Sequence, residues 1–145
     1  MAVTAKIYSL MFTAAFNKEI DYDTDAIKVA LTTSTYTPDQ DTHDYFNDVT
    51  NEITGTGYTA GGATLASKTV TYTGATNKWV LDAADTAWTT ATFTMRTAVV
   101  YDSQTGVAAT QPLMCYQQND ADISVTAGTF TIVWNASGII EITVA

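Results

Sequence analysis

The second half of the chain is a succession of short apolar and threonine-rich runs separated by turn residues. The runs are Lys68–Thr73, Lys78–Asp82, Ala87–Thr94, Arg96–Tyr101, Pro112–Gln117, Ile123–Ala127, Thr129–Trp134 and Ile139–Val144. Gly74–Asn77 separates the first two runs and predicts a hairpin loop. Strands at a spacing of about 8–12 residues are typical of sandwiches and barrels. The pattern predicts an all-β fold, a jelly-roll-like sandwich or barrel of short antiparallel strands.

Residue usage favours the same fold class. Threonine supplies 29 of the 145 residues, beside eight tyrosines and three tryptophans, and these residues suit a pleated, half-buried surface. One short N-terminal helix within residues 5–18 is predicted by the helical spacing of Ile7, Leu10, Met11 and Ala14. We therefore expect at least seven strands and less than a fifth of the chain in helix, against the ~30–35% typical of globular domains.

The first half of the chain adds one strand and one helical turn to this pattern. Ile27–Leu31 alternates with period two and predicts a strand. A helical turn is expected at Asp44–Asp48, capped by Asp41 or Thr42. With no linker or repeat, residues 1–145 are expected to form a single domain.

The charge of the chain is concentrated in one segment. Residues 19–52, the acidic segment, hold nine of the fifteen acids and one base, Lys28, and so carry about −8 of the net −9. The six basic residues are scattered, which argues against nucleic acid or an anionic membrane as a partner. Because no apolar run approaches the ~18 residues of a membrane span, we expect a soluble protein in the cytoplasm of the cell that makes it.

The acids include a weak candidate for a metal site. Asp21, Asp23 and Asp25 reproduce the start of a calcium loop, but Ala26 and Thr32 replace the required glycine and glutamate. A solvated acidic edge is therefore the favoured interpretation, and no cofactor or metal is expected. A second group of acids, at residues 39, 41 and 44, has the same weakness, although the two groups could converge in space.

The remaining candidates for chemistry favour structural roles. His43, the only histidine, is flanked by Asp41 and Asp44, which predicts a local hydrogen bond, and no nucleophile motif accompanies it. Cys115 lies in an apolar run and is expected to be a buried small hydrophobe. Residues 55–62 lack the G-K-[ST] ending of a phosphate loop, so they predict a conformational loop with positive φ. We therefore expect no enzymatic activity.

The three tryptophans, Trp79, Trp88 and Trp134, fall in predicted strands. Core packing is the default interpretation for such residues in a small β domain. An aromatic platform that binds sugars is the alternative, since exposed rings would offer a flat apolar surface.

The segment NDVTNEITGTGYTAGGATL, entered from IKVALTTSTYTPDQDTHDYF, resembles a family of small tailed-bacteriophage virion proteins. The resemblance covers nearly the whole chain, from Lys6–Phe16 through Trp79–Leu81 to the late FTIVW. It implies a non-enzymatic head decoration, or cement, protein on the capsid surface of the virion. Such a protein binds the outer capsid lattice and reinforces contacts between major capsid proteins.

The partners expected from this resemblance are the phage major capsid protein and further copies of the chain. A homotrimer would match the three-fold positions of a capsid. The residues expected to contact neighbours are those of the glycine-rich loop: Gly55, Gly57, Tyr58, Gly61 and Gly62. Two alternatives stay open, namely a tail or head–tail junction component (tube, terminator or tip) and a carbohydrate-binding β-sandwich module.

Overall fold

Eight strands form two antiparallel sheets in the computed structural model, which describes residues 2–144. The strands and the helix are β1 (Val3–Ile7), α1 (Met11–Phe16), β2 (Ile27–Thr32), β3 (Ala63–Thr64), β4 (Thr69–Thr73), β5 (Lys78–Asp82), β6 (Thr86–Asp102), β7 (Leu113–Ile132) and β8 (Ile140–Thr143). The larger sheet has the order β1-β7-β6-β2-β3 and the smaller β4-β5-β8. The all-β prediction with one short helix is confirmed, whereas jelly-roll connectivity is not confirmed. The expected domain, residues 1–145, includes two residues, 1 and 145, that lie outside the described range.

Two strands are much longer than the sequence predicted. β6 has 17 residues and β7 has 20, so the two runs of residues 87–101 form one strand and the three runs of residues 112–134 form another. The gaps between the predicted runs coincide with irregularities in the pairing, namely a register shift after Met95 and a positive φ at Ala127. A further register shift follows Trp88, inside the predicted run Ala87–Thr94. Bulges interrupt the alternation of side chains while the partner strand stays hydrogen-bonded, and this is why the runs seemed separate.

The predicted helix begins later than its spacing indicated. Met11 and Ala14 lie on its buried face, as predicted, but Ile7 belongs to β1 and pairs with Cys115. Pairing with β1 gives the backbone groups at the edge of β7 hydrogen-bond partners. This tertiary interaction overrides the local helical spacing of Ile7.

The other local predictions are largely confirmed. Residues 27–31 lie in β2, and β4 pairs with β5 as the predicted hairpin. A 3₁₀ turn occupies Phe46–Asp48, but the predicted caps are wrong: the residue before the turn is Tyr45, and no side chain caps it. The Asp41 carboxylate instead accepts a hydrogen bond from Ser9 Oγ at 3.0 Å.

The middle strands of the larger sheet are buried on both faces. On one face, Leu31 and Val100 share a core with Leu81 and Ile140 of the smaller sheet. Cys115 also lies in this core, where burial raises the pKa of its thiol to about 12, as expected for a small hydrophobe. On the opposite face, a second core of tyrosines and aliphatic side chains is covered by the acidic segment: Tyr8, Ala30, Tyr36, Val99, Tyr101, Leu113 and Tyr116, with Phe46 and Val49 packed against them.

We predict that Leu31→Ala destabilises the protein by about 2–5 kcal/mol, because it leaves a cavity in the core that joins the two sheets. Thr131→Ala, on an exposed position of β7, is the matched control and should change the free energy of unfolding by less than about 0.5 kcal/mol. Urea unfolding followed by tryptophan fluorescence measures both. Equal effects of the two substitutions would contradict the assignment of this core.

Candidate functional site

The glycine-rich loop, residues 55–62, is held on the larger sheet by the Glu52 carboxylate. Glu52 Oε1 accepts hydrogen bonds from the Tyr58 hydroxyl and from the Gly61 N–H, both at 2.6 Å. The same tyrosine oxygen accepts the Leu31 N–H at 3.0 Å, which joins the loop to β2. Tyr101 adds a further tie by donating its hydroxyl to the Gly61 carbonyl at 2.8 Å. One buried edge of the loop is therefore fixed by charge-assisted hydrogen bonds.

The loop also lies close against the sheet backbone. Gly57 and Gly62 have φ of 80° and 79°, the left-handed conformation expected from the sequence. A Cβ atom at Gly62 would lie 1.9 Å from the Val29 carbonyl oxygen, and one at Gly57 would lie 2.9 Å from that of Thr89. The absence of a Cβ atom at these glycines lets the loop pack against its own sheet. Contacts within the chain are therefore sufficient to explain their conformation.

The Tyr58 side chain packs against the hydrophobic core. Its ring lies 6.4 Å from that of Trp88 and 6.0 Å, edge-on, from that of Phe93. Burial, followed by the hydrogen bond to Glu52, raises the pKa of Tyr58 well above its ordinary value. Among the predicted contact residues, Gly55 and Gly57 are exposed, while Tyr58, Gly61 and Gly62 are half-buried. The free surface of the loop is consequently a polar, uncharged strip comprising residues 54–57, 59 and 60, which we call the loop strip.

The carboxylates of the acidic segment mainly bind nearby groups of the same chain. Asp39 accepts the N–H groups of Asp41 and Thr42, and these hydrogen bonds lower its pKa. Glu19 accepts the Tyr45 hydroxyl at 2.8 Å. These acids therefore stabilise turns of the segment that covers the tyrosine core.

The calcium-like acids are also used locally. Asp25 Oδ2 accepts the Asp21 N–H at 3.0 Å, and Asp21 Oδ1 accepts the Thr24 N–H at 3.2 Å. Within residues 2–144, no three acidic, histidine or cysteine side chains converge as a metal site would require. Asp21, Asp23 and Asp25 thus have the geometry of a hydrogen-bonded turn, and the group at residues 39, 41 and 44 does not join them.

Asp102 is a buried acid at the end of β6. Its side chain is 1% exposed, and Oδ1 accepts the Gln104 N–H at 2.9 Å while Oδ2 has no partner among the described residues. Burial, reinforced by the neighbouring Asp25 carboxyl, raises the pKa of Asp102 to about 6. No spacing could have revealed this residue, because its burial depends on the packing of residues 21–26 against β6.

His43 hydrogen-bonds to a tyrosine rather than to its acidic neighbours. Its Nδ1 lies 3.0 Å from the Tyr36 hydroxyl and accepts the Asp39 N–H at 3.3 Å, which is a local hydrogen bond but involves neither flanking aspartate. Tyr36 in turn hydrogen-bonds to the Tyr8 hydroxyl at 2.9 Å. This chain of aromatic groups ties the acidic segment to Tyr8, the residue that follows β1.

Two of the three tryptophans are core residues, as the default interpretation predicted. Trp88 and Trp134 are buried, but Trp79 is 41% exposed and lies beside Tyr72, with ring centroids 5.0 Å apart. The sequence could not separate them, because all three fall in predicted strands and only the tertiary packing decides which is covered.

An open groove of about 540 Å³ lies between β1 and β8. Val3, Ala5 and Ile139 supply its apolar wall, and Glu141 supplies a carboxylate that is paired with Lys78 at 2.7 Å. Among residues 2–144, no helix is long and apolar enough to span a membrane.

No known protein family, curated protein or solved structure matches this chain.

Replacing Gly62 by alanine should destabilise the protein by more than about 2 kcal/mol, because the new Cβ would collide with Val29 in addition to straining a positive φ. Gly106→Ala is the matched control: its φ is +72°, but open space surrounds the site, so only the backbone cost of about 1 kcal/mol is expected. Thermal unfolding of both variants measures the difference. Similar losses would show that the loop is not seated on β2 as described.

Asp102 should make stability depend on pH. Because its pKa is raised from 3.8 to about 6 on folding, the folded state gains relative stability at low pH and loses it as the pH rises through 6. Titration of Asp102 should lower the free energy of unfolding by about 2 kcal/mol between pH 4 and pH 8, and this decrease should be absent from the Asp102→Asn variant. Urea unfolding of both proteins at several pH values measures this difference. Parallel pH profiles would contradict it.

Proposed function

We propose that this protein is a non-enzymatic component of a tailed-phage virion, of the head decoration or cement type. The observation that carries the proposal is the loop strip, an uncharged surface held rigid by Glu52 and by the close approach of the glycines to the sheet. A preordered surface loses little conformational entropy when it binds, which suits permanent attachment to a lattice. The resemblance of residues 27–65 to small phage virion proteins supports the same conclusion.

The distribution of charge supports attachment through uncharged surfaces. The acidic segment carries about −8, and its carboxylates are engaged in turns on one face of the larger sheet. Burying this segment against another copy would bring like charges together at low dielectric, which is costly. In the proposed assembly, the acidic segment faces solvent or a basic strip of the major capsid protein, while the loop strip contacts the lattice. A homotrimer at the capsid three-fold positions is the proposed arrangement of copies.

The attachment should survive high salt and depend on the loop strip. At 1 M salt the Debye length falls to about 3 Å, so contacts between exposed charges are screened whereas uncharged contacts persist. Thr59→Glu places a charge on the loop strip and leaves its glycines unchanged; we expect it to reduce binding to particles that lack the protein by at least about tenfold. Thr131→Glu, on exposed β7, should bind normally.

Sedimentation of particles with the added protein measures both effects. Release by salt alone, with Thr59→Glu still attached, would show that the acidic segment is the attachment surface.

Copy number separates the decoration role from the alternative position in the tail or head–tail junction. Quantitative mass spectrometry of purified particles should find hundreds of copies per particle, comparable to the major capsid protein. A handful of copies would favour a tube, terminator or tip component, and absence from particles would refute a virion role.

The carbohydrate-binding alternative keeps one candidate platform, the exposed pair of Tyr72 and Trp79. Glycan binding that is lost in a folded Trp79→Ala variant would favour it over the virion proposal.

A further inference from the structure

β4 is an exposed sheet edge that lacks the usual protection. It pairs with β5 on one side only, and all five of its residues are exposed. Its sequence, Thr-Val-Thr-Tyr-Thr, contains no charge and no proline, and its register with β5 runs without a bulge. Unpaired backbone N–H and C=O groups on such an edge are a template for another strand.

The other free edges of residues 2–144 show the protection that β4 lacks. Where β6 and β7 extend beyond β2 and β1, register shifts interrupt their pairing. β1 carries Lys6, and β8 carries Glu141. β3 is uncharged but only two residues long. Charges and short length are the common means by which natural proteins prevent edge pairing, so β4 stands apart as an edge available for contact.

The apolar face of β4 is also uncovered. Register places Val70 opposite Leu81 and Tyr72 opposite Trp79, so all four side chains lie on the face that reaches the core. Leu81 is buried there, but Val70 is 37%, Tyr72 49% and Trp79 41% exposed. The buried face of the smaller sheet thus continues beyond the core into an aromatic surface.

Charge identifies a second copy of the chain as a fitting partner. Each copy carries −9, and two copies can meet at low cost only where neither presents acids. Residues 68–82, which include β4 and β5, contain three charged side chains: Lys68, Lys78 and Asp82. Lys78 pairs with Glu141 at 2.7 Å, so this surface has no net negative charge. The surface around β4 therefore allows self-association that the acidic segment would oppose.

We propose that the β4 strands of two copies pair antiparallel across a two-fold axis centred on Thr71. The two smaller sheets then form one continuous six-stranded sheet. A two-fold contact is self-complementary: Val70 of each copy lies opposite Tyr72 of the other, and Thr69 lies opposite Thr73. The aromatic surfaces of the two copies become neighbours on one face, and the free backbone groups of both edges find partners.

This contact is independent of the virion proposal, because it requires only two copies of the chain in solution. On a capsid it would join copies that belong to different three-fold sets. A dimer without virion attachment, or attachment without a dimer, would separate the two proposals.

Single cysteine substitutions test both the contact and its register. Thr71→Cys places two thiols across the axis at a Cα separation of about 4.5–5.5 Å, within disulfide range. Thr69→Cys, on the same face of the same exposed strand, is the matched control, because the two thiols would lie about 13 Å apart. A mixture of Thr69→Cys and Thr73→Cys should cross-link again. Cys115 is buried and common to all variants.

We expect mild oxidation of the full-length chain to give a covalent dimer with Thr71→Cys and with the mixture, and at least about tenfold less with Thr69→Cys alone. Sedimentation of the unmodified chain should show a reversible dimer, weakened at least about tenfold by Thr71→Lys but not by Thr143→Lys on β8. Equal cross-linking of all single variants would overturn the register. A chain that stays monomeric at every concentration would overturn the contact itself. Binding of a glycan, in place of a second copy, to the aromatic surface would also overturn it.

Discussion

The antiparallel pairing of β6 with β7 is the interaction on which the rest of the structure depends. The two strands run together from Tyr101 and Leu113 to Thr86 and Ile132. Near the turn they form the middle of the larger sheet, where β1 and β2 flank them. Beyond the bulges they continue toward the smaller sheet and line the core that both sheets share. Long-range pairing of this kind gains its stability only when the whole hairpin forms, because many residues must be ordered together.

The long hairpin also creates two faces that must be covered. The smaller sheet covers one face, and the acidic segment covers the other with Tyr36 and Phe46, whose ring stacks on Tyr101 at 3.9 Å. The high charge of that segment is compatible with this role because its carboxylates bind backbone N–H groups and tyrosine hydroxyls at the surface. The acidic segment, whose sequence favoured a solvated acidic edge, therefore also covers the tyrosine core.

The surfaces left for partners differ in chemistry. The loop strip is polar and held rigid by Glu52, whereas the β4 edge is uncharged and carries an aromatic face. The β4 edge lies apart from the acidic segment. The loop strip itself carries no acid, because the Glu52 carboxylate that holds the loop accepts hydrogen bonds from Tyr58 and Gly61. Rigid attachment surfaces on a small β domain fit the proposed virion role.

Local sequence was sufficient for the fold class, the β4–β5 hairpin, β2, the short helix and the positive φ of the glycine loop. Each of these depends on neighbours in sequence: alternation, turn residues or the absence of a Cβ atom. The continuity of β6 and β7 could not be predicted, because a bulge and a turn use the same small and polar residues and only the partner strand distinguishes them. The same limit applies to the candidate sites. The roles of Glu52 and Asp102, and the exposure of Trp79 beside the burial of Trp88, are decided by which surfaces pack together, which is a property of the tertiary structure alone.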